Sequence, residues 1–138
     1  AAAPLGARLA ARSEQVWGAP PADAWVVPVP LHWRRRRSRG FDQAEQIADG
    51  FASALGLPLA RCLRRRRHTV PLFGVELGAR DALLADVFAL RRWGTSGLRG
   101  RHVILVDDIR TSGATLDAAA RALKAGGAGR IHAAVVAR

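Results

Sequence analysis

The segment Val103-Ile104-Leu105-Val106-Asp107-Asp108-Ile109-Arg110-Thr111-Ser112-Gly113-Ala114-Thr115 constrains the fold more than any other part of the chain. Four apolar residues run straight into two acids and then into a small, hydroxyl-rich turn. Such an apolar run, closed by carboxylates, reads as a strand buried on both faces of a parallel sheet, its last residues emerging at the carboxyl edge. Ligands of open α/β sheets bind at that edge. Residues Thr111 to Thr115 offer hydroxyls, a glycine and backbone N–H groups just before Leu116 to Lys124, where good helix formers recur at helical spacing. A phosphate suits the free N–H groups and positive dipole end of such a helix. Asp107 and Asp108 suit a sugar instead, because carboxylates accept hydrogen bonds from vicinal hydroxyls and repel phosphate. The same residues also fit a plainer arrangement, a strand ending in a solvated acidic turn and an ordinary helix cap.

A length of 138 residues suits one domain. The expected organisation is a single domain over residues 1–138, with residues 1–24 forming a peripheral helix and linker. Charge interrupts the apolar residues throughout, and no window approaches the roughly 20 apolar residues of a membrane span. Cys62 is the only cysteine, which rules out an internal disulfide or a cysteine-based zinc site. With no basic-then-apolar leader at the start, the expected compartment is the cytoplasm. The net charge of +11 is carried by arginine, since Lys124 is the only lysine. An excess of that size attracts polyanions, whether phosphorylated metabolites or nucleic acid. A GC-rich coding sequence would also favour arginine over lysine, so the charge informs on function more than the arginine preference does.

Along the chain, Pro4 to Trp17 predicts a helix with Leu5, Leu9 and Val16 towards one side, stopped by Gly18-Ala19-Pro20-Pro21. Trp25 to Pro30 predicts a short strand whose prolines open a loop running to about Gly40. A helix is expected from Asp42 to Leu55, with Gly56 and Pro58 marking its end. Leu59 to Leu63 is a candidate second strand, followed by an arginine run and a weakly periodic stretch, His68 to Gly78, expected to be mobile. A short helix at Ala79 to Leu84, a strand at Val87 to Leu90, a turn from Trp93 to Gly100 and a final strand from Arg130 to Ala137 complete the reading. Alternating strands and helices without a linker argue for a three-layer α/β fold.

The Val103–Thr115 segment closely resembles the phosphoribosyl pyrophosphate (PRPP) signature of type I phosphoribosyltransferases. A second segment, Val27-Pro28-Val29-Pro30-Leu31-His32 followed by Arg34 to Arg37 and Arg39-Gly40-Phe41-Asp42-Gln43, resembles the corresponding part of the ComF family. These competence-associated proteins carry a phosphoribosyltransferase-like domain, and Asp42 stands where their motif has Asn. The resemblance runs from about Trp25 to the C-terminus. It implies a three-layer type I phosphoribosyltransferase-like fold with a mostly parallel central sheet and a small mobile hood segment. It also implies a ribose-5-phosphate site formed by Asp107, Asp108, Arg110, Thr111, Ser112, Gly113, Ala114 and Thr115, with Arg39, Gly40 and Arg37 on the pyrophosphate. Arg80 matches the hood. Mg²⁺ is expected mainly through PRPP, with Asp107 and Asp108 as the side-chain candidates, rather than through a side-chain cluster. Departures fall in the hood, where the family's Gln corresponds to Leu72 and its Asn to Leu83. The cysteine-rich zinc module common in the family has no counterpart among these residues.

The function implied is that of a phosphoribosyltransferase-like protein binding PRPP or a related sugar phosphate, in nucleotide metabolism or in DNA uptake during natural competence. Transfer of the phosphoribosyl group would draw on Asp107 and Asp108, which could also take a proton. Two alternatives stay open: a non-catalytic PRPP or nucleotide sensor, and a factor handling single-stranded DNA with the competence machinery. Against the last stands an aromatic content of 6% without tyrosine, poor material for a base-stacking groove. His32, His68, His102 and His132 lack metal-ligand spacing and read as surface or supporting residues, and Cys62 reads as a small buried one. Acceptor and oligomeric state are left open.

Overall fold

The computed structural model describes residues 2–30, 43–66, 87–108 and 113–135. Element order is α1 (Ala2–Trp17), β1 (Trp25–Pro28), α2 (Gln43–Leu55), β2 (Leu63–Arg65), β3 (Phe88–Leu90), β4 (Val103–Asp107), α3 (Gly113–Ala125) and β5 (Ile131–Val135). Strands β1, β4 and β5 form a parallel sheet in the order β1-β4-β5, while β2 and β3 pair antiparallel as a separate ribbon.

Side chains of a strand alternate between faces, so each central strand serves two cores. Val27 of β1, with Val103 and Leu105 of β4, packs against Ala118, Ala119 and Leu123 of α3 and against Leu63 and Phe88 of the ribbon. Val26, Ile104 and Val106, one residue out of phase, pack with Ala134 against Ala10 of α1 and Ile47, Ala48 and Phe51 of α2. All five residues of β4 are buried, as expected for a central strand covered on both sides. The result is the three-layer α/β fold with a mostly parallel sheet.

Helix α1 lies against α2 at a very close approach. A Cβ on Gly6 would stand 2.6 Å from the Phe51 backbone nitrogen, closer than two packed atoms can come. The buried stripe of α1 runs through Leu5, Leu9 and Ser13, whose Oγ donates to the Ala10 carbonyl at 2.8 Å. Val16, in the last turn, falls within about 20° of Leu9 around the helix, yet it is left 63% exposed. Val16 thus shares the side of Leu5 and Leu9, as expected, but is not buried with them.

The candidate strand at Leu59 to Leu63 is also corrected. Leu59 makes only an isolated parallel bridge to Val26, after which the chain leaves the central sheet and Leu63–Arg65 pairs with Phe88–Leu90 instead. The cause lies in composition. A central parallel strand must be apolar on both faces, whereas Leu63 is buried, Arg64 is exposed and Arg65 lies over the Phe88 ring at 5.1 Å. Helix α3 begins at Gly113, earlier than Leu116, and closes through Gly127, whose φ of 95° lets the Ala128 N–H reach back to the Leu123 carbonyl at 3.0 Å. The expected helix at Ala79 to Leu84, the hood and the last residues of the final strand lie outside the described residues.

At the amino edge of the sheet, the Trp17 ring stacks on His132 at 4.9 Å, and His102 tilts against His132 at 4.8 Å. This ties the end of α1 to β5 and to the start of β4. Burial, helped by the neighbouring charges of His132 and Arg130, pulls the His102 pKa below its ordinary 6.5, while Asp23 opposes the shift. The folded protein then binds fewer protons than the unfolded chain as pH falls through 6.5, so stability is full above that value and declines below it. Urea midpoints between pH 8 and pH 5 are expected to show this decline, and His102→Phe, which keeps a ring but cannot titrate, is expected to reduce its slope. A Gly6→Ala substitution is expected to cost about 1–3 kcal/mol in the same assay, because two helix backbones must separate.

Candidate functional site

The parallel register of β1 and β4 decides what meets at the carboxyl edge. Pro28 lies opposite Val106, and the Val29 N–H donates to the Val106 carbonyl at 3.0 Å. The chain therefore leaves β1 at Val29 and Pro30 directly beside Asp107 and Asp108. Val135 of β5 flanks Asp107 on the other side. Three parallel strands thus end around one acidic pair.

Both carboxylates are buried, Asp107 to 4% exposure and Asp108 to 9%, at the end of an otherwise wholly apolar strand. Asp107 Oδ1 accepts a hydrogen bond from the Asp108 N–H at 2.8 Å, which turns the first carboxylate back onto the chain and fixes its orientation. Helix α3 starts five positions after Asp108, with Gly113 exposed and open space where a Cβ would stand. Gly113, Ala114 and Thr115 form its first turn, whose N–H groups have no earlier helical carbonyl to bind. The edge thus combines oriented acceptors with a helix start rich in N–H donors, a pairing suited to a hydroxylated and phosphorylated ligand.

Of the residues expected in the site, Asp107, Asp108, Gly113, Ala114 and Thr115 are brought to this edge. Arg110, Thr111 and Ser112 lie outside the described residues, as do Arg37, Arg39 and Gly40 of the basic loop, Arg80 of the hood, and Leu72 and Leu83. Pro30, the last described residue before the segment of Arg37, Arg39 and Gly40, lies at the same edge. Among the described residues, no three His, Cys, Asp or Glu side chains group to hold a metal. His102 and His132 sit at the opposite edge.

Cys62 is fully buried in the core on the α3 side. Burial pushes its thiol up to about 11, although a backbone hydrogen bond and the charge of Arg91 pull the other way. It takes no part in the acidic edge. Native protein at pH 8 is expected to leave Cys62 unreacted with Ellman's reagent over a period in which urea-unfolded protein reacts fully.

Sequence reasoning missed one feature. Judged by their small share of the chain, the aromatics offered no stacking surface, yet Trp25 and Trp93, far apart in sequence, line one groove at the amino edge. The local signal was Trp93 itself, an indole set directly after Arg91-Arg92 in a turn.

Comparison with known proteins agrees with this architecture. Residues 38–138 match the phosphoribosyl transferase domain family. Among curated proteins, Competence protein F of Haemophilus influenzae is 31% identical over 72% of this chain and 43% of its own length. Competence protein ComFC of Bacillus subtilis is 31% identical over 71% of this chain and 37% of its own, and the DNA utilization protein YhgH of Escherichia coli K12 is 29% identical over 78% and 46%. The chain spans less than half the length of these relatives. Among solved structures, an allosteric regulatory enzyme of purine biosynthesis aligns over 99% of this chain and 25% of its own, with a TM-score of 0.63 at 23% identity. The glutamine PRPP amidotransferase of B. subtilis aligns over 99% and 26%, with a TM-score of 0.62 at 20% identity. These two similarities concern the fold.

The described fold is that of a phosphoribosyltransferase-type domain. The chain belongs to the phosphoribosyl transferase domain family and, within it, to the ComF group of competence-associated proteins.

Proposed function

We propose that the carboxyl edge of the sheet binds the ribose-5-phosphate part of PRPP with Mg²⁺, and that the protein transfers the phosphoribosyl group in nucleotide metabolism linked to DNA uptake or utilisation. The observation carrying this reading is the pair of buried carboxylates, Asp107 and Asp108, at the end of β4 ahead of the α3 N-terminus. Carboxylates at such an edge accept hydrogen bonds strongly, and a ribose diol offers two hydroxyl donors. The first turn of α3 would take the 5′-phosphate on its N–H groups. Arg39, Gly40 and Arg37, in the segment that follows Pro30, are the residues proposed to neutralise the pyrophosphate.

The donor set suits Mg²⁺, a hard cation usually held through one or two carboxylates and completed by phosphate oxygens and water. When bound, it would offset the charge that grows on the departing pyrophosphate. The chain's own part is to hold the ribose by Asp107 and Asp108, to fix the phosphate at α3, and to aim guanidinium groups at the leaving group. Most of the rate gain would come from positioning and electrostatics. Arg80, with the segment around it, would cover the site and keep water from competing with the acceptor. Competence and DNA utilization in the names of the relatives support the cellular setting proposed.

Calorimetry with PRPP and Mg²⁺ tests the reading. Wild type is expected to bind saturably and with Mg²⁺ dependence. Asp107→Asn/Asp108→Asn is expected to bind about 10- to 150-fold more weakly, the loss of one hydrogen bond to a charged group. A pyrophosphate-release screen across nucleobases then separates transfer from sensing, since binding without release leaves a sensor. Absence of PRPP binding by the wild type would overturn the proposal.

A further inference from the structure

Strand β5 lies at one end of the parallel sheet and, among the described residues, pairs only with β4. The Val103 N–H donates to the Arg130 carbonyl, so in this parallel register the even-numbered residues of β5 turn their backbone groups to β4. The N–H and C=O groups of Ile131, Ala133 and Val135 therefore point away from the sheet. Edge strands are ordinarily blunted by a charge, a proline or a bulge. β5, Ile-His-Ala-Ala-Val, carries no lysine, arginine, carboxylate or proline and matches β4 residue for residue.

The face that β5 turns towards α3 is also open. Ile131 and Ala133 project there in phase with Leu105, and with Leu116 and Ala120 of α3 they line a trough of about 640 Å³. Charge is divided along its length. Asp117, in the second turn of α3, stands towards the end where the strands finish, whereas Lys124, in the last turn, and Arg130, just before β5, stand where they begin. All three are exposed. The Lys124 Nζ donates to the Gly129 carbonyl, which holds that ammonium close to Arg130 in the chain.

We propose that this edge is the interface of a two-fold symmetric dimer, in which β5 of one copy pairs antiparallel with β5 of a second and Ala133 lies opposite Ala133. The surface is self-complementary, which singles out a second copy as its occupant. With that centre Ile131 lies opposite Val135, so the outward-pointing groups of all three residues bind in pairs and every side chain keeps its face. Antiparallel pairing also reverses the charge order of the second trough, setting Asp117 of each copy towards Arg130 and Lys124 of the other. A parallel arrangement would oppose like charges. The exposed methyl of Ala133 lets the strands approach, and the apolar floors of the two troughs join. Two three-stranded sheets become one of six strands, with the two acidic edges facing opposite directions.

The test is sedimentation equilibrium of the intact chain across the micromolar range, with enough salt to screen the net charge of +11 that repels one copy from another. A monomer–dimer equilibrium is expected, and amide exchange at Ile131, Ala133 and Val135 should slow as protein concentration rises. Asp117→Arg should weaken the dimer about 2- to 30-fold, the loss of two symmetry-related exposed ion pairs, with an unchanged circular dichroism spectrum. Combining it with Arg130→Asp should recover most of that loss. Ala133→Pro, at an edge position whose N–H β4 does not use, should leave the fold intact and abolish dimerisation. The proposal is overturned if the chain stays monomeric throughout, if the three edge amides are already protected in dilute monomer, or if a dimer forms that neither Asp117→Arg nor Ala133→Pro weakens.

Discussion

The parallel pairing of β1 with β4 is the constraint from which the other arrangements follow. Placing Val26 opposite Ile104 and Val27 opposite Leu105 sends matching residues to matching faces, so each strand pair supplies one layer of each core. It also aligns the strand ends. Asp107 emerges where β1 gives way to the chain leading into the basic loop, and Trp25 starts where the segment before β4 arrives. One set of backbone hydrogen bonds therefore sets the character of two edges, an acidic one where the strands end and a cationic, aromatic one where they begin.

The acidic edge was legible in the sequence because it is local. An apolar run, two acids and a helix start occur within about a dozen residues, and neither the strand nor the helix depends on a distant partner for its type. Glycine and proline punctuation placed the ends of α1 and α2 for the same reason. The second strand was misread because apolar character alone cannot say which sheet a short strand joins. That choice turned on Arg64 and Arg65, which a doubly covered sheet could not accept. Val16 shares the side of Leu5 and Leu9 by helical spacing, but spacing cannot show that the last turn of α1 leaves that side open to solvent. The groove was invisible for a deeper reason. It is assembled from three segments across two sheets, and a low aromatic percentage says nothing about whether two tryptophans become neighbours.

The two edges also differ in how burial is used. At the carboxyl edge, charged groups are withdrawn from water and oriented, which favours discrimination by hydrogen bonding at the expense of accessible surface. At the amino edge, guanidinium groups and an indole remain in solvent, where their charge is screened by salt. The two surfaces stand at opposite ends of the same strands.

The doubled core has a consequence for folding. Because β1 and β4 are apolar on both faces, sliding one along the other by a residue would exchange Val for Ile or Leu without exposing any of them, so hydrophobic pattern alone guards their alignment poorly. The guard lies at the strand starts, where the Trp25 N–H binds the His102 carbonyl, the Val103 N–H binds the Arg130 carbonyl, and His132 stacks on Trp17 while His102 tilts against it. These bulky rings act as an indexing stop. The aromatic cluster furthest from the acids is thus what keeps Asp107 in phase with the neighbouring chain.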